Sequence, residues 1–339
     1  METQQYKGLL HFFSVHYYLS MYSRHPGWCL LFFLALYPAF AGGKQEKPAA
    51  LLPPETEQAV YEPSATKEIS RGEAVMLALA KAYPDRTGEI EFLDGDWTIQ
   101  VYGERFYYSG GRLLPASLKD KANEYAPIPF YNYQKELPPW IPPTAEESER
   151  MKEREKLRGT GQARRSSHFF DTLWRARNKD EAWEHIKQIR FLGQPIQVHY
   201  SILVDLSLVE EQILRASKTN TAVRQWINNL SNIESWNWRN IASGQSRSYH
   251  SYGAAIDLLP RSLGGLETYW LWTTRTNPEW WTVPYSKRFH PPEEVIKAFE
   301  SFGFIWGGKW RYYDTMHFEY RPEVLVLNGI ERMDLRELR

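Results

Sequence analysis

One cysteine, Cys29, among 339 residues excludes a disulfide framework and a thiolate metal cluster, since both need at least two sulfurs. Any metal must therefore be held by nitrogen and oxygen. An excess of charge of one sign is also missing. The 41 Lys and Arg residues balance 41 Asp and Glu residues, so the chain has none of the positive surplus that binds a phosphate backbone, and no nucleic-acid partner is expected. Long apolar runs are scarce. The clearest, residues 28–40 (WCLLFFLALYPAF), is short for a transmembrane helix and has Pro38 near its end. Followed by Ala41 and two glycines, it reads as the apolar part of a signal peptide over residues 1–41, with Met21 a fitting start because Arg24 then precedes the run. Cys29 opens the run instead of following it, which does not suit a lipid attachment site. The expectation is an exported chain, in the periplasm or cell envelope, with no stable membrane span after leader removal.

Apolar residues are plentiful: 42% of the chain is hydrophobic and 15% aromatic, enough for the core of one large domain or two smaller ones. Residues 42–66, rich in Pro, Ala, Glu and Lys, read as a flexible spacer. Residues 67–125 read as a small α+β region of no evident role. Ala74, Leu77, Leu79 and Ala80 followed by Pro84 predict a helix, and IEFL, WTIQVY and RFYY separated by glycines predict strands. Residues 126–165 form a boundary. Six prolines between 126 and 143 force an extended strap carrying Tyr131, Tyr133 and Trp140. Thr144 and Glu147 then make a capping box for a charged helix whose only apolar residues are Met151 and Leu157, so most of it should be solvated. Residues 166–325 are denser. Helices are predicted over FFDTLWRA, DEAWEHIKQIRFL, SLVEEQILRAS and VRQWINNL, with a strand near 198–204 and further strands to Tyr320. Without a βαβ rhythm, this is an α+β arrangement with an antiparallel sheet and packed helices. Residues 326–339 are a C-terminal tail.

Three segments of the last third carry chemistry: Trp238-Arg239, the run from Ser248 to Asp257, and Trp306 to Trp310 leading into Asp314, His317 and Glu319. Strand alternation puts Ala255 and Asp257 on one face, and likewise His317 and Glu319. Two histidines and a carboxylate are a usual ligand set for a catalytic zinc with one open position. Each residue also has a plainer reading: a histidine beside phenylalanine is often a hydrogen-bonded core residue, and a strand aspartate can satisfy a backbone N–H.

The combination resembles the zinc D-Ala-D-Ala carboxypeptidase and L-alanyl-D-glutamate endopeptidase family, whose signature is S-x-H-x-x-G-x-A-x-D followed by [E/D]-x-x-H. Ser248, His250, Gly253, Ala255 and Asp257 fill the first half, and Asp314 and His317 the second, about sixty residues on. The resemblance covers roughly residues 168–322 and is greatest to the branch containing phage endolysins. It implies the α+β fold shared with Hedgehog signalling domains and one Zn2+ per chain on His250, Asp257 and His317. It further implies Asp314 as general base, Arg239 as the residue steadying the carbonyl oxygen, and peptidoglycan stem peptides as substrate. Many members have glutamate where this chain has Asp314, a departure that bears on which bond is cut. Ser248, Trp306 and Trp310 are candidates for substrate contact, and Glu319 for orienting a ligand ring. The insertion over 266–290, with Trp270, Trp272, Trp280 and Trp281, either roofs the cleft or buries its own rings. The rival from another class is a zinc-bearing binding protein of the same fold.

Overall fold

A computed structural model describes residues 69–158, 163–241 and 246–333. The signal-peptide and spacer readings over 1–66 lie outside the described residues. Among those described, no helix is long and apolar enough to cross a membrane.

The chain opens with α1 (Arg71–Ala82), whose first turn is capped by the Ser70 hydroxyl accepting from the Glu73 N–H at 3.3 Å. Its buried face (Val75, Met76, Leu79) lies on an antiparallel sheet of β1 (Thr87–Leu93), β2 (Asp96–Val101), β3 (Glu104–Tyr107) and β4 (Leu114–Pro115). The extended strap follows, then α2 (Ala145–Leu157), which closes the expected capping box between Thr144 and Glu147. Leu157 is exposed, whereas Met151 is buried among Trp270, Trp280 and Tyr313. The insertion thus buries Trp270 and Trp280 in a satellite cluster on which α2 docks, with Trp281 half-buried against it and Trp272 exposed.

Next come α3 (His168–Leu173), α4 (Lys179–Glu184), β5 (Ile186–Phe191), β6 (Gln194–His199), α5 (Leu203–Thr219) and α6 (Thr221–Asn229). Here one expectation is corrected. The segment predicted as a single helix through Leu192 breaks after Glu184, and Ile186–Phe191 pairs with β6 as a hairpin. Its turn, Leu192-Gly193, takes positive φ at both positions (48° and 80°), the geometry that matches strand twist in a two-residue hairpin. The strand expected near 198–204 accordingly falls over 194–199.

The last third builds β7 (Leu230–Glu234), β8 (Ala255–Pro260), α7 (Trp270–Thr273), α8 (Glu293–Ser301), β9 (Phe304–Trp306), β10 (His317–Tyr320) and α9 (Pro322–Leu327). The strands form an antiparallel sheet in the order β7-β8-β10-β9. The α+β class with antiparallel sheets therefore holds. Alternation divides the faces: Ile256, Phe304, Trp306 and Phe318 turn toward the core, where Phe318 stacks on Phe299 of α8 with centroids 4.0 Å apart. Asp257, His317 and Glu319 occupy the opposite face. One apolar core runs from Val75 and Ile99 of the front segment through Phe169 and Trp174 to Phe318 and Tyr320.

Candidate metal centre

Strand register makes the site. β10 pairs with β8 so that His317 stands directly opposite Asp257, and Glu319 opposite Ala255. Opposed residues of an antiparallel pair share a face with Cβ atoms about 5 Å apart, so the register brings together two side chains distant in sequence. His317 Nδ1 lies 2.8 Å from Asp257 Oδ1.

His250 arrives from the turn before β8. The Ser248 hydroxyl accepts from the His250 N–H at 3.4 Å, and the turn closes at Gly253 in the left-handed region, φ 66°. A Cβ on Gly253 would stand 2.7 Å from the backbone nitrogen of His199 and collide with the side chain of Ile186, so glycine is required there. His250 Nε2 then lies 3.2 Å from Asp257 Oδ2 and 3.3 Å from His317 Nδ1.

These three donors fit a metal ion. One ligand atom from each of His250, Asp257 and His317 lies within 4.8 Å of the other two. Zinc bonds of about 2.0–2.1 Å in tetrahedral array set neighbouring donors about 3.3–3.4 Å apart, close to the closest spacings here. Outer partners fix which nitrogens face inward. His250 Nδ1 is 2.7 Å from the Ser235 carbonyl, leaving Nε2 for the site, and His317 Nε2 is 3.2 Å from Glu319 Oε2, leaving Nδ1. The electrostatics also favour a cation. Burial opposes ionisation of Asp257, but the His250 and His317 rings outweigh it and hold the carboxyl far below the usual range. Burial likewise opposes charge on His317, yet its bonds to Asp257 and Glu319 carry its pKa up to about 10. Glu319 is held low by His317 and Arg321 against its burial.

Asp314 sits in the turn before β10, where its N–H donates to the Gly307 carbonyl at 3.0 Å and its carbonyl accepts from the His317 N–H at 3.2 Å. Its Oδ1 is shielded from solvent and has no hydrogen-bond partner. Burial, then the negative charge of Asp257, pushes its pKa up to about 7. Arg239 lies close enough to act electrostatically on Asp314. Arg247, nearer in sequence to His250, is committed elsewhere: its Nε lies 3.1 Å from Asp171, with the guanidinium over Trp238.

The three residues expected at substrate divide. Trp306 is fully buried, on the core face of the sheet, with its indole N–H donating to the Thr315 carbonyl at 2.8 Å, so its expected groove-lining role is corrected to a core role. Ser248 is corrected too: it is 5% exposed, and its hydroxyl positions His250. Trp310 alone stands at the site, its ring 5.4 Å from that of His317 and stacked at 5.1 Å on Tyr131 of the strap. Sequence reasoning missed Tyr269. A single antiparallel bridge pairs it with Asp314, which places both side chains on one face. Burial and the Asp314 charge raise its pKa to about 12, and of the two tyrosines in the insertion, Tyr269 and Tyr285, only the first holds that register.

Fold and donor set thus define an α+β protein with a His-Asp-His cluster able to hold a metal, beside a carboxylate whose Oδ1 has no hydrogen-bond partner. Residues 242–320 match the family model described as D-alanyl-D-alanine carboxypeptidase, which supports a peptidase of that family in this part of the chain. Residues 75–130 match a domain of unknown function. Comparison with curated proteins and with solved structures gave no match.

Proposed function

We propose that the chain is an exported zinc metallopeptidase that hydrolyses an amide bond in peptidoglycan stem peptides, with residues 166–325 as its catalytic part. The observation that carries this reading is the convergence of His250, Asp257 and His317 donors beside an orphaned Asp314 oxygen. A zinc ion held by those three supplies a Lewis acid that lowers the pKa of water from 15.7 to about 7. Asp314 takes the proton of the attacking water and returns it to the leaving amine. In the metal-free chain, burial and the Asp257 charge raise the Asp314 pKa above the usual carboxylate range, the direction a general base requires. Arg239 faces the carbonyl oxygen as negative charge develops there, an effect worth about 3–4 kcal/mol for a single well-placed donor. Trp310 and Tyr269 flank the reacting bond and shape the groove.

Terminal D-Ala-D-Ala cleavage is the favoured activity, in line with the description of the matching family. The test is incubation of the full chain with purified sacculi, with and without a chelator, and mass identification of what is released. Free D-alanine supports the carboxypeptidase, a new amino terminus on D-Glu supports the endopeptidase, and no release from a metal-loaded preparation refutes the hydrolase in favour of a zinc-bearing binder.

A further inference from the structure

The front segment, residues 75–130, has no evident chemistry of its own, yet a buried polar chain leads from it to the metal centre. The Tyr83 hydroxyl, just after α1, donates to Glu323 Oε2 at 2.8 Å. The other oxygen of Glu323 accepts from Arg321 Nε. Arg321 Nη1 donates to Glu319 Oε1 at 3.3 Å, and Glu319 Oε2 meets His317 Nε2 at 3.2 Å. Arg321 Nη2 donates to the Pro129 carbonyl of the strap at 3.1 Å. The guanidinium packs against the rings of Phe170 and Tyr249.

None of these groups reaches solvent to any useful extent: Tyr83 and Arg321 are 1% exposed, Glu323 0% and Glu319 6%. Charges buried so deeply are costly unless each is paired, and leaving one partner missing is worse than having neither. The consequence for Glu319 is geometric. With one oxygen held by Arg321 and the other on His317 Nε2, its carboxylate cannot rotate away from the ring, and the ring must keep Nδ1 toward Asp257 and His250. Arg321 can hold Glu319 only while Glu323 and Pro129 hold Arg321, and Glu323 is itself held by Tyr83.

We propose that the front segment is a structural component of the metal centre, with Tyr83, Glu323 and Arg321 acting as positioning residues that fix the His317 ring through Glu319. This rests on the reading of His317 as a metal ligand. Loss of an outer-shell partner typically weakens a metal 10–100-fold, so Glu319→Gln should lie in that range, and Tyr83→Phe, three links further out, roughly three- to tenfold.

The experiment measures the Zn2+ dissociation constant of the full chain by competition with a chromophoric chelator, together with the unfolding temperature of the metal-free protein. The variants are Tyr83→Phe, Glu323→Gln and Val75→Ala. Val75 is a fully buried residue of α1 whose side chain has no polar atom, so its truncation loosens the packing of the front segment while removing none of the hydrogen bonds of the network. The expected result is metal binding weakened at least threefold in Tyr83→Phe and Glu323→Gln but not in Val75→Ala, although all three unfold at lower temperature. A change below threefold in both network variants overturns the proposal, as does equal weakening by Val75→Ala, which would mark a general effect of lost packing. If only one network variant folds, it is read alone by the same threshold. Absence of Zn2+ binding by the unmodified chain would instead sink the functional reading on which this rests.

Discussion

Replacing Asp314 by asparagine separates its two possible uses, as a base or as a structural carboxylate. The amide has the same shape, so packing in the turn between Gly307 and His317 is preserved. Its Oδ1 has no hydrogen-bond partner, and burial together with the Asp257 charge outweighs the Met316 N–H, His317 and Arg239, which favour the charged form. The amide oxygen can still accept from the Met316 N–H, and the net opposition to a charge at this position is relieved, so the metal-free chain should be no less stable. The donors on His250, Asp257 and His317 are untouched, so zinc should be retained. Turnover should fall by about 10²–10⁴, the usual contribution of a positioned general base, which at about 1.4 kcal/mol per decade is about 3–5 kcal/mol of barrier. The assay combines kcat on released D-alanine, zinc content after dialysis, and unfolding temperature. Turnover within tenfold of the unmodified enzyme, or zinc lost together with activity, would refute the base assignment.

Other outcomes follow from the same geometry. His317→Ala should lose zinc and activity together, because it removes one of three donors; metal analysis after dialysis checks this. Gly253→Ala should destabilise the fold by about 2–5 kcal/mol in denaturant unfolding, combining about 1–2 kcal/mol for a left-handed non-glycine residue with about 1–3 kcal/mol of overpacking against Ile186 and the His199 backbone. His199 is buried, and burial, then the Arg86 charge, hold its pKa down to about 3. Unfolded, it titrates near 6.5, so below that pH the unfolded chain binds a proton that the folded chain refuses. Stability should fall as pH drops from about 6.5 toward 3, at up to about 1.4 kcal/mol per pH unit from this group, and unfolding of His199→Gln measured in parallel should show a shallower slope.

Much of the centre was legible because strand alternation is a local property. His317 with Glu319, and Ala255 with Asp257, could be assigned shared faces from spacing alone, and the register of β8 on β10 then joined the two pairs. Depth was not legible. Trp306 looked like a groove residue because it stands near Asp314 in sequence, but alternation from His317 through the β9 pairing sends it to the core. Ser248 offered a hydroxyl beside the motif, and only the closed turn shows that hydroxyl engaged with His250. The helix predicted through residue 192 failed because tertiary pairing of Ile186–Phe191 with β6 overrode the local preference of the segment. The links from Tyr83 to Glu323 and from Tyr131 to Trp310 join positions far apart in sequence that no spacing rule connects.

Metal stoichiometry measured alongside cleavage tests the zinc-peptidase reading most directly. The full chain, dialysed and analysed for metals, should carry one zinc per molecule, release D-alanine from sacculi, lose both on chelation, and regain both when zinc is restored. A chain that releases D-alanine with no bound metal, or that binds zinc stoichiometrically and leaves sacculi intact, would contradict it.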